Sequence, residues 1–447
     1  MTNPRYVAAI EVSSSKVIGA VGKIFPDGKL NVIATAEEKC VECVRFGIVQ
    51  NVEETATRIA RIISQLERNH EVEPRRITGV FIGLSGRSMR SISAEVSLTL
   101  PEETVIDARI VEELRDKAVS KAIDSSLEVI DAVPRSYTIG KNVTKEPTGN
   151  VGSSIKATYD LIACRPQLKR NLGRTGLTDR FEIHINGYIV TALAAGALIP
   201  NDSEKRLGCM LVDMGAETTT VTIYKDGNLQ YFATLPLGSR NITRDITSLN
   251  LLEESAEDIK IQSGNAIAGN SNAALNIHGV DLQEISNIIV ARAEEIVVNI
   301  MEQVTYAGFK DSDLPGGIIL IGGGAQLNNM AELMRRTCKL PVHPGQLPSN
   351  YISFSGKTPS PEAYEVISVL YAGATHSDAE CLSMPRAEMV PPTGTIPDNP
   401  GEESQTPREK GKEKKPKQPS KLSIFMKRLS KALTPEPEDE ESSDLME

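Results

Sequence analysis

The chain has 447 residues, 40% of them apolar, enough to fill the cores of two or more domains, and a formal net charge of −10. That charge excludes a general nucleic-acid binder, which needs Lys and Arg clustered on its folded surface. No run reaches the roughly 18 to 20 apolar residues that cross a bilayer, and residues 1–16 lack a charged-then-apolar secretory pattern, so a cytosolic protein is expected.

Residues 6–12 and 17–22 are strand-like, and Pro26-Asp27-Gly28 turns the chain into a further strand at 30–34. The lone C-x-x-C, Cys40 and Cys43, has no second pair or His cluster to complete a zinc site. With Cys164, Cys209, Cys338 and Cys381 it is read as reduced, mostly buried thiol. In residues 51–66, Val52, Ala56, Ile59, Ile63 and Leu66 recur at helical spacing, and residues 77–84 form a buried strand ending at Ser85-Gly86. The texture then changes. An alternating strand near 91–100, a charged helix over 108–123 and extended segments near 129–139 and 155–163 predict an inserted α/β subdomain.

After it the opening pattern returns: residues 209–224 read strand, Gly-containing turn, strand, and Asp226-Gly227 turns into residues 229–234. The recurrence implies an internal duplication. Helices over 251–261 and 282–309 follow, then a strand at 317–321 running into Gly322-Gly323-Gly324 and a helix over 328–338. Folded structure is expected to end near 379, because Pro-, Gly- and Lys-rich sequence takes over from Met384. Residues 408–431 are dominated by Lys and Arg, and 436–447 by Asp and Glu. Stepping at helical period from Leu422, the residues Phe425, Met426, Leu429, Ala432 and Leu433 share a stripe, with Lys427, Arg428, Ser430 and Lys431 off it. Such a stripe suits a helix lying in the interface of an anionic bilayer; it also suits docking in a protein groove.

A hairpin turn presenting backbone N–H groups and small hydroxyls wraps a phosphate, and two facing hairpins hold a triphosphate with its Mg²⁺. The first candidate is Glu11-Val12-Ser13-Ser14-Ser15-Lys16: a carboxylate to orient the hydrated metal, hydroxyls for phosphate oxygens, and Lys16 as a point charge. The second is Asp213-Met214-Gly215-Ala216-Glu217-Thr218-Thr219, with Asp213 reaching Mg²⁺ through water. Gly322, Gly323 and Gly324 let backbone approach a base or phosphate unobstructed. Any one of these alone is an ordinary tight turn.

In order and spacing the motifs resemble those of the actin-like ATPases, the superfamily of actin, Hsp70, hexokinase and MreB. The resemblance implies an α/β, two-domain actin-like fold of duplicated ribonuclease H-like cores, with ATP and Mg²⁺ between the halves. It makes Gly238 and residues 241–246 the first interdomain connection and Tyr371-Ala372-Gly373-Ala374 the second. Glu257 then accepts from ribose hydroxyls and the Lys260 stem lies on adenine; without the resemblance, the two are equally a solvated salt pair.

Within that superfamily the chain resembles the FtsA family of bacterial cell-division proteins over nearly its whole length. Glu11-x-Ser13-Ser14-x-Lys16, Val133-Pro134-x-x-Tyr137, Glu257-Asp258-Ile259-Lys260 and a basic linker before an amphipathic helix carry the likeness. It implies a subdomain 1A from 1–84, 165–190 and 346–383, an inserted subdomain 1C at 85–164, a subdomain 2A from 191–246 and 310–345, and a subdomain 2B at 247–309. A disordered basic linker at 384–419, the membrane helix at 420–433 and an acidic disordered end at 434–447 follow.

The family likeness further implies an adaptor that binds ATP and polymerises head to tail on the cytoplasmic face of the inner membrane at the division site. Its body holds the tail of FtsZ, the tubulin-like ring protein, and recruits later division proteins. Arg292 is the candidate for pairing with the acidic FtsZ tail, though as a residue it is equally a solvated cation. Leu422, Phe425, Met426, Lys427, Arg428, Leu429 and Leu433 are the expected membrane contacts. Ala216 and Glu217 stand where the family's second loop has glycines, and Ser13 where its first has one, so Glu217 is expected to put a carboxylate among the phosphates. A helix expected over 188–196 offers Ile189 and Val190 where active relatives orient water, which predicts slow turnover or none. A PilM-like pilus-assembly ATPase and a sugar or acid kinase remain as other readings; for the latter no Asp base stands out in the insert.

Overall fold

A computed structural model describes residues 4–40, 42–121, 124–267, 276–277 and 280–384. The amphipathic stripe, the acidic end and all but the first residue of the expected linker lie outside the described residues. The strands Arg5–Val12, Lys16–Ile24 and Leu30–Lys39 form an antiparallel meander. Gly79–Leu84 adds parallel to the first of them and His184–Val190 parallel to Gly79–Leu84. The later half repeats this pairing. Cys209–Met214, Thr219–Lys225 and Asn228–Leu235 form the meander, then Gly317–Ile321 and Val342–Pro344 add in parallel. The expected duplication is therefore present as one pairing order used twice.

The central strands are apolar on both faces because helices cover them; Val7 to Val12 are all buried. The helix Val52–Glu67 begins where the Asn51 side chain accepts from the Glu54 N–H at 3.0 Å, and it buries Ala56, Ile59, Ile63 and Leu66 against that sheet. The helix Tyr364–His376 crosses so close that a Cβ at Gly373 would lie 2.4 Å from the Phe81 ring. Only glycine permits this approach.

Between the halves, Arg90–Val105, Glu128–Ile139 and Val151–Cys164 pair antiparallel beneath the helix Ala108–Val119. They enclose their own core of Leu114, Tyr137, Ile155 and Tyr159. One pairing, Ala233 with Arg90, joins this sheet to that of the later half, making nine strands in a row.

Several expectations need correction. Residues 188–190 end a strand, and the helix is Thr191–Leu198: β-branched Ile189 and Val190 pair with Gly83 and Leu84 before the Ala-rich run turns helical. The helix expected over 282–309 stops at Tyr306, where Gly308 takes φ +79° and the Phe309 and Gly308 amides close back on Val304 and Thr305. That expected over 251–261 runs Glu253–Ser263. Cys40 and Cys43, expected as free thiols, are joined in a disulfide with Cα atoms 5.8 Å apart; the other four cysteines are free and buried. No helix among the described residues is long and apolar enough to cross a membrane.

Candidate functional site

Both hairpin turns lie at the same ends of their duplicated sheets. In the first, the Ser13 N–H and Oγ both donate to the Lys16 carbonyl at 2.9 Å, closing the turn between Val12 and Val17. In the second, the Gly215 N–H donates to the Thr218 carbonyl at 2.8 Å, and the N-terminus of the helix Ser239–Thr247 seats on it through Ser239 and Arg240 N–H groups. Residues 241–246, expected as a connection, lie in that helix. Gly238 packs against Ala216 so tightly that a Cβ would sit 2.4 Å from its carbonyl oxygen. Gly322, at φ +86°, and Gly324 lie against the backbone of Met214, while Gly323 faces open space.

Three carboxylates meet where the two turns face each other. Glu11 is buried, and burial followed by the charge of Asp213 raises its pKa to about 8 despite Lys16. Burial also raises Asp213, which shares a hydrogen bond with Glu365. Glu365, the second residue of the helix Tyr364–His376, is pushed well above the carboxylate range by burial and then by Asp213 and Glu11. Two facing acids sharing a hydrogen bond hold a proton between them. Sequence reasoning missed Glu365; its signal was one acid near the start of an otherwise apolar helix.

Glu11 Oε2, Glu365 Oε1 and the buried Thr191 Oγ1 have no hydrogen-bond partner among the described residues. A Cβ built at Gly83 would lie 2.9 Å from that hydroxyl and 3.5 Å from Glu11 Cβ, so the hydroxyl lies beside the acid. Unpartnered buried oxygens of this kind fit a hydrated cation. Among the described residues no three acid, His or Cys side chains are spaced to ligate a metal directly.

Other expected residues have partners inside the protein. Lys16 Nζ meets Glu37 at 2.8 Å and Glu362 at 2.5 Å. Ser14 Oγ accepts from the Gly47 N–H at 3.2 Å, the Ser15 carbonyl accepts from the Cys40 N–H, and Thr219 Oγ1 donates to the Leu237 carbonyl. Thr218 closes the second turn with its carbonyl. Lys260 Nζ donates to Glu257 at 2.7 Å and to Thr243 at 3.0 Å, and its burial lowers its pKa against the pull of Glu257. Arg292 forks onto Asp245 at 2.5 and 3.1 Å and reaches Glu295. It lines a cleft of about 380 Å³ with Arg244, Ser248 and Ile288.

Glu217, expected to put a carboxylate among the phosphates, has its partners inside the protein. Its buried carboxylate accepts from the Phe46 N–H at 2.6 Å, Arg45 at 2.9 Å, Arg244 at 3.0 Å and Arg240 at 3.3 Å. Burial alone would raise its pKa, but that N–H and the three guanidiniums together hold it below the usual carboxylate range. The partners Arg45 and Phe46 are 171 residues or more away, beyond any local sequence signal.

A family model described as Cell division protein FtsA matches residues 210–362, and one described as SHS2 domain inserted in FTSA matches residues 86–163. The cell division protein FtsA of Porphyromonas gingivalis is 32% identical over 340 residues, 74% of this chain and 70% of that protein. The chain belongs to the FtsA family of cell-division proteins. FtsA of Escherichia coli K12 is 24% identical over 395 residues, 83% of this chain and 91% of that one. Among solved structures, a chain of the PilM-PilN type IV pilus biogenesis complex superposes with TM-score 0.57 at 16% identity, covering 82% of this chain and 98% of its own. That likeness shows the actin-like fold alone, whereas the FtsA likeness is one of sequence.

Proposed function

We propose that the chain binds Mg²⁺-ATP between its two turns and serves as an adaptor, linking a ring of FtsZ to the cytoplasmic face of the inner membrane. Membership of the FtsA family, together with two facing turns whose carboxylates converge on one buried site, carries this reading. Bound Mg²⁺ would supply the positive charge that lets phosphates enter beside three acids. Glu11 and Asp213 would orient the water of its shell, Ser14 and Thr218 turn hydroxyls toward phosphate oxygens, Ser13 does so on releasing the Lys16 carbonyl, and the open side of Gly323 admits phosphate or base. Glu257 and Lys260 bind ribose and adenine after exchanging their mutual contact. With Ile189 and Val190 ending a strand, no acid or amide stands at that point to orient water, which supports slow turnover or none.

The subdomain boundaries given above frame this reading: the body polymerises head to tail, and 1C contacts later division proteins. The FtsZ tail pairs with Arg292 by replacing Asp245, one carboxylate for another. A single amphipathic helix gains only about 0.8 kcal/mol per buried CH₂, so a monomer attaches reversibly and a polymer gains avidity. The test is flotation of the full chain with anionic liposomes, with and without Mg²⁺-ATP, beside Phe425→Glu. The native chain should float and the variant sink; equal flotation sinks the membrane reading. Co-sedimentation with an FtsZ tail peptide, lost in Arg292→Ala, tests the partner.

A further inference from the structure

Phe46 and Gly47 form the tip of a small hairpin between the strands Val44–Arg45 and Ile48–Val49. Both are left-handed, with φ +49° and +81°. For an aromatic residue this costs of order 1 kcal/mol, so the surroundings must hold it there. They do so from both halves of the molecule. The Phe46 N–H donates to Glu217 of the second turn at 2.6 Å, and the next N–H, Gly47, donates to Ser14 of the first at 3.2 Å. Arg45 and Arg87 lie over the Phe46 ring, 5.9 and 4.7 Å from its centroid. At Gly47 a Cβ would come 2.2 Å from the Ser85 carbonyl oxygen, so only glycine fits.

Two consecutive amides thus tie one turn to the other, and Glu217 is the far anchor. Its carboxylate also takes Arg240 and Arg244 from the helix seated on the second turn. We propose that Glu217 is a positioning residue: through the tip Phe46-Gly47 it fixes the two turns against each other before any nucleotide arrives. Nucleotide then enters a preset gap instead of drawing the halves together, and its binding changes the spacing of the turns little. The second clause rests on the nucleotide reading above; the first does not.

Amide hydrogen exchange of the full chain, without nucleotide and with Mg²⁺-ATP, tests both. In the native chain the Phe46 and Gly47 amides should be protected equally in the two conditions. In Glu217→Gly, loss of the charged acceptor should speed their exchange roughly tenfold without nucleotide, and Mg²⁺-ATP should slow it again. Glu217→Gln keeps an acceptor without the charge and should fall between. A general loss of structure would instead raise exchange throughout the surrounding sheet. Unchanged exchange at the tip in nucleotide-free Glu217→Gly overturns the proposal, as does a native chain whose tip ATP protects as strongly as it protects the variant's. If neither protein binds ATP, the nucleotide-free comparison still decides and only the nucleotide reading fails. Should Glu217→Gly not fold, Glu217→Gln and Arg45→Ala carry the same comparison.

Discussion

Two buried acidic sites adjoin the second turn, and their pKa values shift in opposite directions. Glu11, Asp213 and Glu365 face one another with little opposing charge, since Lys16 is already shared by Glu37 and Glu362; burial therefore prevails and their pKa values rise. Glu217 is as little exposed to solvent, yet one N–H and three guanidiniums outweigh its desolvation and its pKa falls. Burial sets the size of what is at stake, and partners set the sign. One site is satisfied as it stands. The other has unpartnered oxygens that a cation or proton would satisfy.

The sharpest break of this comparison is Glu217→Ala. It leaves three arginines around an empty place, Arg240 among them nearly buried, and should cost about 3 kcal/mol by chemical denaturation. If Glu11→Gln costs as much, the contrast between the sites is false. The next effect is on pH dependence. Glu11 binds its proton more tightly folded, near 8, than at its ordinary 4.5, so its contribution is complete below 4.5 and is lost as pH climbs through about 8. Glu217, lowered from 4.5, works the other way: its contribution is present above 4.5 and lost as pH falls below it. Thermal melts without Mg²⁺ from pH 5 to 9 should therefore decline, and Glu11→Gln should flatten the decline. Smaller still is Glu365→Gln, which still donates to Asp213 but spares the folded protein the proton that a buried Glu365 must take up at pH 8, and should stabilise the nucleotide-free protein by about 1 kcal/mol there while weakening its dependence on Mg²⁺. A loss of stability in this variant would mean that the acids are mutually supportive.

The duplicated sheets were legible in sequence because each half repeats the same local pattern, an apolar strand, an acid, small residues and a second strand. The turns were legible for the same reason. Glu217 was legible only as a departure: its position pointed at phosphates, and nothing local revealed that Arg45 and Phe46 would come from another hairpin to take its carboxylate. Residues 188–196 failed differently. An apolar run without polar punctuation carries no period, and the sheet edge at Gly79–Leu84 decided that Tyr188 to Val190 would pair before the helix began. Glu365 belongs to both cases, visible as an oddity and intelligible only once Asp213 lies beside it.

The least of the expected changes in stability extends the comparison to a third acidic contact. Arg292 is about one quarter exposed, and its pairing with Asp245 and Glu295 is partly wet, so neither the burial penalty of Glu11 nor the enclosure of Glu217 applies. Arg292→Ala should cost only about 0.5 kcal/mol in denaturation. Its effect on an acidic peptide should be larger, because the guanidinium fork that now holds Asp245 is the group a tail carboxylate would take. Asp245→Asn should then tighten the same peptide by freeing that fork. If Asp245→Asn weakens binding as much as Arg292→Ala does, the intact pair shapes the cleft and the arginine is not the group that exchanges.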